Sequence, residues 1–309
     1  MSDLSYLSSA RYGKDAVRVF RVVREGPTHT IVEYNVKVLL EGDIDVSYTE
    51  AENRVVVATD SMKNITYYLA KVSPHILIPE RFALHLGTHI VSKYAHIHKA
   101  FVDIEQLRWS RISVGKDGKP HPHSFLRDGD EKKVVKVEVD ATAGKDGIQA
   151  RVSAGLSDLL VLKSTGSSFT SFIRDEYTLL KEVDDRIFST SIDLTYTFAS
   201  ISIPPPKDEV DIPCLCLFDM ADEYSENTTL HSFTTLAEHF EQATLYKMAQ
   251  QIITDNAGIQ SVTYALPNKH YIPVDMSYIG VDNMTPAKAE VFQPVAAPSG
   301  LITATVSRK

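Results

Sequence analysis

The fold is decided first by residues 32–41, which read Val32-Glu33-Tyr34-Asn35-Val36-Lys37-Val38-Leu39-Leu40-Glu41. Apolar side chains stand at every second position, and the side chains between them are mostly polar. A period of two is typical of a strand with one buried face, because successive side chains of a strand point to opposite faces. Residues 16–24 form a second such segment, and Glu25-Gly26-Pro27 between the two is a turn signal. The sequence therefore predicts a pair of antiparallel strands near its start.

Two helices are predicted after this pair of strands. The apolar run Val55-Val56-Val57-Ala58 reads as a strand, and Thr59-Asp60 ends it and opens a helix toward Leu69. A second helix begins at Pro79, because apolar residues then recur every four positions and share one face. These residues are Phe82, Leu86, Ile90 and Tyr94. Strands return at 96–112 and 133–140.

The second half of the chain repeats this order of elements. Strands are predicted at 159–162, 187–198, 260–266, 270–277 and 301–306, and helices at 172–181 and 230–254. We therefore expect an α+β protein of two tandem units, residues 1–145 and 146–309, each an antiparallel sheet with helices on one face. Residues 199–229 contain three consecutive prolines and are expected to form an irregular connection with a short helix.

Composition excludes several classes of function. The chain has 309 residues and a formal net charge of −8, and an acidic chain repels nucleic acid and anionic membranes. No apolar run approaches the ~20 residues that span a bilayer, and the first residues lack the pattern of a secretory signal. Cys214 and Cys216 are too few for a four-cysteine zinc site, so we expect reduced thiols in an intracellular protein. Edge strands that need covering favour an oligomer.

The usual cofactor signatures are absent from the sequence. It contains neither Gly-x-Gly-x-x-Gly nor Gly-x-x-x-x-Gly-Lys-Ser/Thr. The sequence therefore lacks the motifs that usually indicate a nicotinamide, flavin or nucleotide site. The pairs His96/His98 and His121/His123 have the spacing of metal ligands on one strand face, but two ligands do not make a site. We expect these histidines to be hydrogen-bonded or exposed, and residues 119–125 fit a rigid turn equally well.

Two polar segments carry candidate chemistry, and each has a purely structural alternative. In one interpretation, Thr59-Asp60 supplies the N-cap of a helix. In the other, a hydroxyl and a carboxylate lie at a helix N-terminus, where backbone N–H groups point at a bound anion. Asn268 and His270 are two residues apart, so in an extended segment an amide and an imidazole face one side and suit a polar ligand and proton transfer. In a polar turn they would have no such role. Three further residues give no sign of a function when each is taken alone: Lys14, Phe169 and Arg186.

Short stretches along the whole chain form a larger pattern. They are Tyr12-Gly13-Lys14-Asp15, Val57-Ala58-Thr59-Asp60-Ser61, Lys63-Asn64, 118–125, 160–167, Asp185-Arg186-Ile187, Gln242-Ala243-Thr244-Leu245-Tyr246 and Leu266-Pro267-Asn268-Lys269-His270-Tyr271. In this order and spacing they resemble the urate oxidase family, and the fungal members are the most similar. The whole set is far more specific than any one stretch.

The resemblance implies a tunnelling fold, or T-fold. Each chain would contain two tandem T-fold units, and four chains would assemble around a central tunnel with active sites shared between subunits. In that homotetramer, Lys14 and Thr59 of one chain face the other site residues of its neighbour. The catalytic residues implied are Lys14, Thr59 and His270, and the substrate-binding residues are Thr59, Asp60, Phe169, Arg186, Glu241, Gln242 and Asn268.

These residue types suit urate, a planar, oxygen-rich heterocycle that is anionic at neutral pH. The resemblance implies that Phe169 stacks on its face, that Arg186 binds one edge with a planar fork of donors, and that Gln242 pairs with the other edge. The remaining contacts that it implies are backbone groups at Asp60 and Glu241, and a place for O2 or water near Thr59 and Asn268.

The implied activity is the oxidation of urate by O2 and water to 5-hydroxyisourate and H2O2 in purine degradation. No metal or other cofactor is implied, because the substrate itself donates the electrons, and Lys14, Thr59 and His270 would form a proton relay. Two alternatives are another T-fold enzyme that handles pterins or purines and a non-catalytic purine-binding protein. Ser307-Arg308-Lys309 shares the small-then-basic start of a peroxisomal address of the Ser-Lys-Leu type but ends in a charged lysine instead of leucine. The expected location is peroxisomal, otherwise cytoplasmic.

Overall fold

The computed structural model describes residues 4–204, 228–230, 241–295 and 297–309, which form two compact units. Unit 1 contains residues 4–155 and 197–204. Unit 2 contains residues 156–196, 228–230, 241–295 and 297–309. Both units are antiparallel sheet with helix packed against it, so the expected α+β class is confirmed. The domain boundary at residues 145 and 146 stays a prediction.

Unit 1 is built on the strand order β1-β2-β3-β6-β7, with β9 beside β7, and β4 and β5 form a separate two-stranded sheet. Its strands are β1 (Tyr12–Glu25), β2 (Thr28–Gly42), β3 (Ile97–Leu107), β4 (Ser110–Val114), β5 (Lys119–Leu126), β6 (Lys132–Asp140), the first part of β7 (Ile148–Lys163), the end of β8 (Phe188–Phe198) and β9 (Ile201–Ile203). Its helices are α1 (Asp45–Thr49), α2 (Thr59–Val72) and α3 (Pro79–Lys93).

The β1–β2 hairpin is the pair of strands predicted from the sequence, and that prediction is confirmed. The alternating apolar side chains of β2 are all buried: Val32, Tyr34, Val36, Val38 and Leu40. The turn between the strands contains Gly26 with a φ of +62°, a conformation that only glycine adopts without a steric cost.

Helices α2 and α3 pack on this sheet, α2 against β1 and α3 against β3 and β6. The predicted apolar face of α3 is confirmed for Phe82, Leu86 and Ile90, which are fully buried, whereas Tyr94 follows the last helical residue and is half-buried. Each fully buried side chain of this kind contributes about 1.5–3 kcal/mol to folding. Gly87 allows the close approach of α3, because a Cβ at this position would lie 2.7 Å from Cγ2 of Val139 on β6.

Unit 2 contains the second part of β7, most of β8, α4 (Glu241–Asp255), β10 (Ile259–Pro273), β11 (Phe292–Val295) and β12 (Leu301–Ser307). The strand order is β7-β8-β10-β11, and β12 also pairs with β10. Helix α4 packs on β10 and β12 through an apolar face that is completely buried. That face consists of Leu245, Met248, Ala249 and Ile252.

Several sequence predictions about elements are wrong. The predicted strand at 96–112 is two strands, β3 and β4, which belong to different sheets. Residues 172–181 form no helix. The predicted strand at 55–58 is also absent, since Val55 ends a 3-10 helix (Asn53–Val55) and 56–58 are an irregular lead into α2. Residues 260–266 and 270–277 are not separate strands, because β10 continues without a break through Pro267 to Pro273.

The region 172–181 fails as a helix for two physical reasons. The Asp175 carboxylate accepts hydrogen bonds from the Tyr177 N–H (3.0 Å) and the Thr178 hydroxyl (2.8 Å), and such local bonds compete with a helix. Ile173 and Leu179 are more than 90% exposed, so no apolar face is buried to stabilise one.

The predicted irregular connection at 199–229 lies mostly outside the described residues. The prediction is wrong for the first residues of this region, since Ile201–Ile203 is strand β9 and pairs with β7. The two cysteines and residues 231–240 of the predicted helix at 230–254 also lie outside the described residues. In the part of the chain that is described, no helix is both long and apolar enough to cross a membrane.

Candidate active site

Strand β10 changes partner where the sequence places Asn268, Lys269 and His270. Its pairing with β12 ends at Pro267, opposite Leu301, and its pairing with β11 begins at His270, opposite Val295. Between the two, the Asn268 N–H donates to the Gly300 carbonyl at 2.8 Å. The alternative of a polar turn is therefore wrong. Since β10 stays extended, the side chains of Asn268 and His270 face the same side.

These side chains line a cleft of about 390 Å³ within unit 2, a volume within the range of small-molecule sites. Arg186 and Lys269 line it as well, together with apolar side chains that include Ile187 and Val295. The cleft thus offers two fixed cations, an imidazole and an amide against apolar walls. That combination suits a flat polar anion.

Phe169 lies directly beside Arg186. The guanidinium carbon of Arg186 is 5.0 Å from the centre of the Phe169 ring, which is a cation–π contact. The same ring stacks on Phe172, with centres 4.9 Å apart and planes 17° from parallel. Phe169 is held by two backbone hydrogen bonds with Val183, of 2.8 and 3.1 Å. Unit 2 therefore places a fixed aromatic ring next to a planar cation.

Lys14, Thr59 and Asp60 are brought together in unit 1. The Val57 N–H donates to the Tyr12 hydroxyl at 2.7 Å, which fastens the lead into α2 to the start of β1. The bond holds Lys14, two residues later on β1, near the start of α2. A β-bulge directly follows Lys14, and bulges re-aim side chains.

Asp60 is an exposed carboxylate that is already paired. It binds the Lys63 ammonium at 2.6 Å and the Asn64 amide at 2.9 Å. The hydrogen bond from Lys63 and its charge hold the pKa of Asp60 below its usual range, and the charge of Lys14 adds to this effect. The Asp60 carboxylate is therefore engaged by side chains of its own helix.

Thr59 is the first residue of α2, and the N-cap position is held by Ala58 without any side-chain hydrogen bond. The alternative that Thr59-Asp60 caps the helix is therefore wrong. Among the described residues the Thr59 hydroxyl has no hydrogen-bond partner. The backbone N–H groups of a first helical turn also lack partners inside the helix, and they favour a negative charge.

Comparison with known proteins decides the family. The family model described as "Uricase" matches residues 10–138 and 152–303. The chain belongs to the uricase family. It is 47% identical to the uricase of Aspergillus flavus, over 99% of this chain and 98% of that relative. It is 42% identical to the uricase of Schizosaccharomyces pombe, with both chains fully covered. The crystal structure of uricase from Arthrobacter globiformis superposes with a TM-score of 0.81 at 31% identity, over 99% of this chain and 96% of that one.

In this uricase-family chain, the predicted site residues fall into three groups. Arg186, Asn268 and His270 share the cleft in unit 2, and Phe169 lies against Arg186. Lys14, Thr59 and Asp60 form the group in unit 1. Glu241 and Gln242 open helix α4, and the described lining of the cleft does not include them.

The two histidine pairs have structural partners. His96 Nε2 lies 2.9 Å from the Val55 carbonyl, and His98 Nε2 lies 3.1 Å from the Asp43 carboxylate, so the expectation of hydrogen-bonded histidines is confirmed for this pair. The rings of His121 and His123 lie 4.5 Å apart on β5, which makes the rigid-turn alternative wrong. Within the described residues, no three histidine, cysteine or acidic side chains are placed to hold a metal ion.

Sequence reasoning missed two residues beside the site, Phe172 and Asp185. Phe172 supports the ring of Phe169. Asp185, which directly precedes Arg186, accepts hydrogen bonds from Thr165 and Gly166 just after the end of β7. Asp185 appears in a family stretch, but its sequence position alone gives no sign of its partners, which lie about twenty residues earlier.

Proposed function

We propose that this chain oxidises urate with O2 and water to 5-hydroxyisourate and H2O2, as part of purine degradation and without a metal or flavin. Membership of the uricase family supports the activity. The observation that carries the binding role is the pairing of Arg186 with Phe169 at a cleft that Asn268 and His270 also line. A guanidinium beside a fixed aromatic ring suits a planar anion.

Each residue has a distinct role in the proposed complex. Arg186 donates two hydrogen bonds to one edge of urate and neutralises its charge, while Phe169 packs on its face. Gln242 has both a donor and an acceptor and pairs with the opposite edge. Backbone groups of Asp60 and Glu241 complete the contacts.

The proposed chemistry balances without a further reactant. The relay of Lys14, Thr59 and His270 removes a proton from bound urate, which makes the ring electron-rich. Two electrons then pass from the ring to O2 near Thr59 and Asn268, and a hydroperoxide forms at a ring carbon. H2O2 leaves, and the relay delivers water to the same carbon. Urate, O2 and H2O are thereby converted into 5-hydroxyisourate and H2O2.

We further propose that the working form is a homotetramer whose active sites lie between subunits. Two observations support this proposal. The relay residues Lys14 and Thr59 belong to unit 1, whereas Arg186 and His270 belong to unit 2. Unit 2 also exposes large apolar side chains, which favours burial against another copy. Among the described residues these include Ile173, Tyr177, Leu179, Tyr278 and Leu301.

A peroxisomal location is also proposed, on the basis of Ser307-Arg308-Lys309. In the fold, Ser307 ends β12, and the Arg308 guanidinium donates to the carbonyls of Asn256 (2.8 Å) and Ile259 (2.9 Å) and to that of Ile253. A receptor that reads these residues as an extended peptide would need those hydrogen bonds to open.

The function is tested by following urate absorbance together with O2 uptake in chelator-treated buffer. We expect equal consumption of urate and O2, with one H2O2 released per urate. Arg186→Gln should lower kcat/KM by about 100-fold, because two charge-assisted hydrogen bonds are lost. Arg151→Gln is the matched control, since Arg151 lies on β7 in unit 1 with its side chain 73% exposed. Absence of urate consumption by the wild-type protein would contradict the proposed function.

A further inference from the structure

Residues 164–187, which we call the platform loop, connect β7 to β8 within unit 2 and carry both Phe169 and Arg186. Its two ends are fastened by Asp185. The Thr165 hydroxyl donates to Asp185 Oδ2 at 2.6 Å. The Gly166 and Ser167 N–H groups donate to Asp185 Oδ1 at 2.6 and 3.3 Å. One carboxylate therefore holds three consecutive residues at the start of the loop.

Further contacts continue this fastening inward. Phe169 and Val183 exchange two backbone hydrogen bonds, and the Ser171 N–H donates to the Glu182 carboxylate at 2.8 Å. Gly166 takes a φ of +76°, in the left-handed region, which lets its N–H reach Asp185. The loop is thus closed at three successive levels, and Asp185 forms the outermost one.

The positions along the chain give this closure a consequence for the site. Phe169 follows Ser167 by two residues, and Arg186 directly follows Asp185. Because Asp185 fixes residues 165–167, it also fixes where the Phe169 ring stands relative to the Arg186 guanidinium, 5.0 Å away. A site that binds a planar anion depends on that spacing, because the ring must meet the face of the ligand while the guanidinium meets its edge.

We propose that Asp185 is a positioning residue for urate binding: it sets the Phe169–Arg186 pair without touching the substrate. This inference rests on the proposed function. The hydrogen bond from Thr165, followed by those of the backbone N–H groups of Gly166, Ser167 and Arg186, holds the pKa of Asp185 below its usual range. The carboxylate is therefore ionised at neutral pH, where urate is an anion.

The test separates binding from turnover. Without O2 the reaction cannot proceed, so the urate Kd can be measured by anaerobic titration calorimetry, and kcat and KM by O2 uptake in air. Asp185→Ala should raise the urate Kd and KM by about tenfold or more, because part of the binding free energy is then spent on ordering the loop. The kcat at saturating urate should stay near wild type. Asp185→Asn should give a smaller rise, since its amide oxygen can still accept from Gly166 and Ser167.

Asp282 provides the matched control. It makes the same kind of contact in unit 2, accepting from the Thr285 N–H (3.0 Å) and the Thr285 hydroxyl (2.9 Å), but it does not line the cleft. Asp282→Ala should therefore leave the urate Kd unchanged. If Asp185→Ala does not fold, Thr165→Val and Asp185→Asn replace it, and a wild-type Kd for both would overturn the proposal.

Two further outcomes are decisive. A folded Asp185→Ala variant with a wild-type Kd, or one that loses kcat alone, would overturn the positioning role while leaving the proposed function standing. Failure of the wild-type protein to consume urate contradicts the proposed function instead, and this assay comes first, so the two failures are distinguishable.

Discussion

The role of Thr59 rests on a hydroxyl that the helix does not use. Thr59 begins α2 but is not its cap, and its neighbour Asp60 is engaged by Lys63. Thr59→Ala should lower kcat by about 100-fold, the usual effect of removing a proton-transfer group. It should leave the anaerobic urate Kd close to wild type, because Arg186 and Phe169 supply most of the binding. The measurements are O2 uptake and calorimetry.

Ser61→Ala is the control for this variant, because Ser61 carries the same hydroxyl two residues later on α2 and lines a different groove. It should behave as wild type. An equal loss of binding and turnover in Thr59→Ala would mean that Thr59 only positions urate, and the relay would then need another member.

Single residues were predictable to different degrees. Strand periodicity was enough to place Asn268 and His270 on one face. It was not enough for Thr59, because a hydroxyl before a helix suits both a cap and a site, and only the geometry at Ala58 separates them. Asp185 was beyond prediction, since its partners at 165–167 are set by the path of a loop with no periodic pattern.

At the scale of elements, the contact between α3 and β6 depends on a missing side chain. A Cβ at Gly87 would lie 2.7 Å from Cγ2 of Val139 and 3.6 Å from Cγ2 of Val102. Gly87→Ala gains about 1 kcal/mol of helix propensity, but overpacking a core costs about 1–3 kcal/mol. The β-branched side chains of Val139 and Val102 have few alternative rotamers and cannot easily move out of the way. We therefore expect Gly87→Ala to lower the stability of the protein, measured as the midpoint of urea unfolding.

Val139→Ala supplies the compensating change. It makes a cavity when introduced alone, so it should also destabilise the protein. Combined with Gly87→Ala it opens the space that the new methyl group needs, and the double variant should be more stable than the sum of the two losses predicts. Simple additivity of the two changes would show that the close approach at Gly87 is not limiting.

Elements with a strong period were predicted well, and elements shaped by their partners were not. Both β2 and α3 bury the faces that the sequence marks. The sequence predicts two strands, 260–266 and 270–277, yet β10 is continuous because β12 pairs with it up to Pro267 and β11 pairs with it from His270. No local pattern encodes such an exchange of partners, although it is what exposes Asn268 and His270 to the cleft.

At the scale of the whole molecule, the overall charge gives a misleading picture of the site. The net charge of −8 suggests a protein that repels anions. The cleft nevertheless gathers Arg186 and Lys269 beside His270. Cations grouped in a cleft with apolar walls attract an anion locally, whatever the distant surface carries. Composition therefore disfavours nucleic acid as a partner, but a net charge says nothing about a single cleft.

The proposed site residues come from both units, which allows a direct test of the proposed assembly. Lys14→Met damages unit 1 and Arg186→Gln damages unit 2, so each variant alone should be nearly inactive. If every site combines unit 1 of one subunit with unit 2 of another, co-expression of the two variants in equal amounts restores some intact sites. Random assembly should recover about a quarter of the wild-type activity per site.

A site built within one chain predicts the opposite result, because every chain in the mixture carries one damaged half and no intact site can form. Co-expression of Lys14→Met with Thr59→Ala is the control, since both changes lie in unit 1 and no combination of subunits can repair a site. Recovery in the first mixture but not in the second requires sites shared between subunits. Equal activities in the two mixtures would contradict shared sites and leave Lys14 and Thr59 to act on urate bound by their own chain.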